Sequence, residues 1–96
     1  MGSAPITMKH LNIRISGKVQ GVFFRVSAKE QADQFGVNGF VLNEPNGDVY
    51  IEAEGREDSL KSFLAWCTRG PNRSRIENIT SEESALKNFE GFEVRR

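Results

Sequence analysis

Along this chain the apolar positions switch between a period of two and a period near 3.6, and the switches mark out the elements. Leu11, Ile13 and Ile15 alternate with Asn12, Arg14 and Ser16. Successive strand side chains point to opposite faces, so this alternation predicts a half-buried strand over 11–16. Phe24, Ala28, Ala32 and Phe35 then recur at helical spacing, with Lys29, Glu30 and Asp33 on the other side. Gly36 stands where a C-cap glycine belongs, which predicts a helix over 24–35. A second strand is expected over 37–43, closed by Glu44-Pro45-Asn46-Gly47, whose Asn-Gly pair favours a tight hairpin. Val49, Ile51 and Ala53 alternate with Tyr50, Glu52 and Glu54 in a third strand, and Gly55 is expected to break it.

Leu60, Phe63, Leu64 and Cys67 form the i, i+3, i+4, i+7 stripe of a core-facing helix over 57–69. Glu57 and Asp58 in its first turn and Arg69 in its last sit where the helix dipole favours them, and Gly70-Pro71 ends it. Weaker strands are expected over 76–80 and 92–95, and 81–90 is polar without a clear period. The order β-α-β-β-α-β is the split βαβ arrangement, an α+β fold whose antiparallel sheet carries two helices on one face. In such a fold the loop after the first strand and the end of the second become neighbours if their strands lie close in the sheet.

Composition narrows the function. Ninety-six residues make one domain, and 13 basic residues balance 13 acidic ones, which argues against an obligate nucleic-acid binder. The balance is uneven along the chain. Lys9, Arg14, Lys18, Arg25 and Lys29 are met before any acidic residue, whereas Glu44, Asp48, Glu52, Glu54, Glu57 and Asp58 face only Arg56 over 44–58. Cys67 is the single cysteine, so no intrachain disulfide can form, and its place on the apolar stripe makes it a core residue. With no signal peptide and no long apolar run, the chain reads as cytoplasmic, with no membrane partner. Residues 1–7 read as a disordered tail or a cloning remnant ahead of a domain over 8–96, with Met8 a possible natural start.

The stretch Ser16-Gly-Lys-Val-Gln-Gly-Val-Phe-Phe-Arg25 runs from strand pattern into helix pattern through two glycines. Unpartnered N–H groups at a helix start, together with the macrodipole, favour an anion there. Lys18 and Arg25 add positive charge, so the turn is either a phosphate or carboxylate cradle or a plain strand-to-helix turn with a solvated arginine. It is not a Walker A loop, because Val22-Phe23 follow the last glycine where that motif has Lys-Ser/Thr. The lone His10, ahead of the regular alternation, is expected to be solvated or at a strand edge. Glu52 and Glu54 are expected on the outer face of their hairpin. Asn43 ends the second strand, either as a turn residue bonding its own backbone or as a polar group facing the cradle.

Two separated stretches resolve these alternatives together. Ile15-Ser-Gly-Lys-Val-Gln-Gly-Val-Phe-Phe-Arg25 resembles the first signature of the acylphosphatase family. Gly39-Phe-Val-Leu-Asn43-Glu-Pro-Asn-Gly47-Asp-Val49, with Gly55, resembles its second. The resemblance runs from Leu11 to Arg95 and includes Gly70-Pro71. Leu42 departs from the family's usual long polar residue and Asn72 from its common second proline. The resemblance implies a ferredoxin-like fold and hydrolysis of the carboxyl-phosphate bond of a small-molecule acyl phosphate by a monomer without metal or other cofactor. It implies that Arg25 binds the phosphate, that Asn43 positions the water, and that the backbone amides of Gln20, Gly21, Val22, Phe23 and Phe24 form the anion loop. Two other readings are an acylphosphatase-like domain that only binds an anion, as an accessory of a larger maturation enzyme, and an RNA-binding module of the same element order. The absence of a further domain after the last strand weighs against the first. Such modules carry exposed stacking aromatics on their central strands, whereas the corresponding strands here offer Asn12, Arg14, Tyr50 and Glu52; that and the zero net charge weigh against the second.

Overall fold

The computed structural model describes residues 7–96. Its elements are β1 (Met8–Lys18), α1 (Phe24–Phe35), β2 (Asn38–Asn43), β3 (Val49–Arg56), α2 (Glu57–Arg69), β4 (Arg75–Ser84) and β5 (Phe92–Val94). Both helices have the expected bounds. Gly36 caps α1 in the left-handed conformation, its N–H directed at the carbonyls of Ala32 and Asp33. The strands form one sheet in the order β4-β1-β3-β2-β5. One face carries both helices: Ile13, Ile15, Val41, Val49, Ile51 and Phe92 from the strands meet Ala28 and Ala32 of α1 and Leu60, Phe63 and Cys67 of α2 in one buried cluster. Cys67 is fully buried there, and desolvation pushes its thiol well above the usual range, as a core cysteine requires.

Three expectations about the strands need correction. The sheet is mixed rather than antiparallel: β1, β3, β4 and β2 pair antiparallel, but β5 lies parallel to β2, with Gly39 opposite Phe92. β5 runs opposite in direction to β4 and reaches the far edge of the sheet through segment 85–91. Four strand spacings, about 19 Å at ~4.8 Å each, separate β4 from β5, a distance an extended stretch of that length spans. Gly55 does not break β3, which continues to Arg56 opposite Met8. A Cβ there would make only ordinary contacts, 3.5 Å from the Gly36 carbonyl oxygen and 3.7 Å from Val37 Cα, so neither backbone nor packing requires a break or a glycine at this position. The strand expected over 76–80 extends to Ser84 and takes in part of the stretch that had no clear period.

Glu52 and Glu54 lie on the outer face of β3 as expected, but they and His10 are buried there and not solvated. All three point away from the helices, as their strand phase requires, but the crossover covers that face. His10 is fully buried, and Glu52 and Glu54 are nearly so. The His10 Nδ1 lies 2.8 Å from Glu54 Oε2 and its Nε2 lies 2.9 Å from Glu52 Oε1. Glu54 accepts the backbone N–H groups of Lys87 and Phe89, at 2.6 and 2.9 Å, and Glu52 accepts the Lys87 ammonium at 2.7 Å. The Phe89 ring packs near both His10 and Phe40. Burial pushes both carboxyls up, but these hydrogen bonds outweigh it and hold them below the usual carboxylate range. Tyr50, half-buried beside them and donating to Glu52, is pushed up to about 12 by its partial desolvation and the neighbouring carboxylate.

The expected tail over 1–7 falls, except for Thr7, outside the described residues. The Thr7 carbonyl accepts the Glu57 N–H at the start of α2. No helix among the described residues is long and apolar enough to cross a membrane.

Candidate active site

The C-terminal end of β1, the N-terminal end of β3 and the C-terminal end of β2 meet at one edge of the sheet. Ile15 and Asn43 both pair with Val49, from opposite sides of β3. Asn43 therefore reaches the loop between β1 and α1 across a single strand. The turn chemistry of residues 44–48 holds this edge: Glu44 N–H donates to the Asp48 carbonyl at 2.8 Å, and Asp48 N–H to Asn46 Oδ1 at 3.0 Å.

The loop is bound to the hairpin by one side chain. Gln20 Nε2 donates to the carbonyls of Glu44 and Asp48, at 2.8 and 2.9 Å. The Val19 and Val22 side chains fall into the core, at 1% and 5% exposed. The intervening backbone thus has few other paths. Gly21 adopts φ 72°, in the left-handed region that favours glycine. Phe23 adopts φ 61° and ψ 26° at the N-cap of α1. Positive φ values on either side of Val22 are the kind of alternation by which successive N–H groups form an anion-binding concavity. No side chain caps α1 and no acidic residue stands in its first turn. Among the described residues, no hydrogen bond engages the N–H groups of Gly21 to Arg25. The helix start is left open to an external anion.

Over this loop lies a cavity of about 270 Å³ lined by Val19, Gly21, Phe23, Phe24, Arg25, Val26, Asn43, Val94 and Arg96. Three of the five anion-loop candidates and both catalytic candidates come together in it. Gly21, Phe23 and Phe24 line it beside Arg25 and Asn43, while Gln20 and Val22 lie behind the lining. Lys18, whose charge brackets the loop in sequence, does not line it. Arg25 is half-buried, and its Nη1 donates to the Arg95 carbonyl at 2.8 Å, which leaves its other N–H groups for a ligand. Asn43 Oδ1 is buried without a hydrogen-bond partner. Such an acceptor costs about 1–3 kcal/mol, so its persistence calls for a missing donor.

Two features of the site were missed in the sequence. The Gln20 side chain acts as a tether, which no local pattern encodes, since its acceptors are backbone carbonyls 24 and 28 residues away. Val94 and Arg96 reach the cavity, and the Arg95 carbonyl reaches Arg25, only because β5 lies parallel to β2. That pairing depends on the crossover.

Fold and site together define a ferredoxin-like α+β domain with a cavity over the uncapped start of α1, lined by Arg25 and Asn43. A profile of the acylphosphatase family matches residues 11–94. The acylphosphatase of Rubrobacter xylanophilus is 42% identical over 88 residues, covering 91% of this chain and 80% of the relative. That of Methylococcus capsulatus is 40% identical over 90 residues, covering 93% and 98%. The solved acylphosphatase of Coxiella burnetii superposes with a TM-score of 0.89 at 35% identity, over 92% of this chain and 93% of that one. The chain belongs to the acylphosphatase family.

Proposed function

We propose that this protein hydrolyses small-molecule acyl phosphates to a carboxylate and inorganic phosphate, without a metal, at the cavity between the 19–23 loop and Asn43. The observation that carries the reading is the buried Asn43 Oδ1, without a hydrogen-bond partner, on a residue that lines the same cavity as Arg25. A phosphate on the loop amides and Arg25 satisfies the open helix start, and a water donating to Asn43 Oδ1 satisfies that acceptor.

The substrate's chemistry explains why so few groups suffice. The leaving group is a carboxylate, whose conjugate acid has a pKa of about 4, so no general acid is required. Phosphoryl transfer then needs position and charge stabilisation. Arg25 offers a permanent positive charge in a planar fork that fits phosphate oxygens. The amides of Gln20 to Phe24 act as fixed donors, like an oxyanion hole. Asn43 cannot take a proton near neutrality, but by accepting one O–H of the water it turns an oxygen lone pair toward phosphorus. The water's proton passes to a phosphate oxygen of the substrate. Arg96, on the cavity wall, adds a second positive charge. The same reading makes the protein a cytoplasmic monomer that needs no cofactor, nucleic acid or membrane.

The test is hydrolysis of benzoyl phosphate in the presence of a chelator, beside a single-stranded RNA binding assay. Turnover without metal and no RNA affinity is the expected result. Phosphate binding without turnover would leave an anion-binding domain, and turnover abolished by the chelator would overturn the metal-free mechanism.

A further inference from the structure

Large apolar side chains exposed among the described residues are Met8, Phe23, Val26, Leu86 and Val94. Three of these five, Phe23, Val26 and Val94, line the same cavity. They come from three separate places, the loop, the first turn of α1 and β5, so their convergence is a product of the tertiary fold. The lining residues divide by burial. Val19 and Phe24, at 1% and 2% exposed, form the floor with Arg25 and Asn43, while Phe23, Val26 and Val94, at 77%, 52% and 38%, form the mouth.

Phe23 is the least expected of them. A bulky residue in the left-handed region costs about 1 kcal/mol, and glycine or asparagine takes that conformation more readily. Its ring is not a core residue either, unlike that of its neighbour Phe24. Neither backbone preference nor packing accounts for a phenyl ring at this position.

We propose that Phe23, Val26 and Val94 form the subsite for the acyl group of the substrate and select a flat, apolar acyl chain, an aryl one above all. The inference rests on the reading that the floor binds the phosphoryl group. With the phosphate on Arg25 and the loop amides, the acyl portion is the part left to occupy the mouth. An aryl group there covers Phe23 and the two valines, removing apolar surface from water on both partners. A charged acyl group meets the same three side chains and loses hydration without a matching donor, apart from Arg96 at one side.

The experiment compares kcat/KM for benzoyl phosphate, acetyl phosphate and succinyl phosphate, the last carrying a distal carboxylate. Two variants are used, Phe23→Asn, which keeps a residue tolerant of positive φ, and Val26→Ser, which leaves the loop alone. The inhibition constant of inorganic phosphate reports the floor. The expected result is a benzoyl-over-acetyl ratio that falls about three- to tenfold in each variant, mainly through KM. An unchanged ratio in both variants of an active enzyme overturns the subsite. So does a wild-type preference for succinyl phosphate, which would assign the mouth to Arg96. Weakened phosphate inhibition with an unchanged ratio would make Phe23 a determinant of loop shape only. If the wild type binds phosphate and hydrolyses none of the three, the hydrolase reading itself has failed.

Discussion

The Arg25 guanidinium donates through Nη1 to the backbone carbonyl of Arg95 at 2.8 Å. Arg95 is itself fixed, its N–H donating to the Val41 carbonyl at 2.8 Å and its own guanidinium lying 3.9 Å from the Phe40 ring centre. The guanidinium proposed to bind phosphate is thus held by the residue that follows β5. A side chain with three or more single bonds to freeze gains from such a clamp, because the entropy of orienting it is lost before substrate arrives.

Arg25→Ala should lose most phosphate affinity and at least about 100-fold in rate, the scale of deleting a preorganised donor. Arg25→Lys should fail nearly as badly, since an ammonium cannot hold the Arg95 carbonyl and two phosphate oxygens in one plane. Steady-state hydrolysis of benzoyl phosphate measures both. Near-normal activity of the alanine variant would remove Arg25 from the mechanism, and full activity of the lysine variant would show that charge alone suffices.

Asn43→Ala should abolish turnover while leaving the inhibition constant of inorganic phosphate within about threefold, because Asn43 is assigned to the water and not to the phosphate. Its melting temperature should not fall, since the lost oxygen has no partner in the folded protein. A collapse of phosphate affinity with surviving turnover would assign Asn43 the opposite role.

Gln20→Ala removes both bonds from the loop to the 44–48 turn. Each carbonyl keeps a backbone donor, Gly47 N–H at Glu44 and Glu44 N–H at Asp48, so the expected stability loss is that of two net hydrogen bonds, about 1–2 kcal/mol, together with a lower kcat. Chemical denaturation read alongside kinetics separates the two effects. A variant that loses stability but keeps kcat would show that the tether supports the fold without setting the distance between loop and Asn43.

The buried carboxylates predict an acid-sensitive fold. The Glu52 and Glu54 carboxyls in the folded protein lie below their usual value of 4.5. Their contribution is therefore fully present above that pH and is lost as pH falls through the lower folded values. Melting temperature against pH should stay level from neutrality to about pH 5 and fall below it. Glu54→Gln should lower the melting temperature at neutral pH, because the Lys87 and Phe89 amides and His10 lose a charged acceptor, and should flatten the acid limb. An unaltered acid limb in that variant would place the acid sensitivity elsewhere.

Local sequence was sufficient for the parts of this protein whose physics is local. The stripe of Leu60, Phe63 and Cys67 defines α2, the alternation of Leu11, Ile13 and Ile15 defines the core face of β1, and glycine at 36 ends α1, because each depends on residues within one or two turns. The candidate chemistry was legible for a related reason. Arg25 and the Gly21 loop sit at a strand-to-helix junction, and Asn43 sits in a second short motif. What closes over them was not legible. The alternation places Glu52 and Glu54 off the helix-facing side of β3, but it cannot say that a polar crossover from β4 will cover that side and bury them with His10. Nor can it say that the crossover delivers β5 parallel to β2, and with it the Arg95 carbonyl that aims Arg25 and the Val94 side chain at the mouth. Those are decided by pairings between residues far apart in the chain, where hydrogen bonds and burial outweigh the polarity of the individual segment.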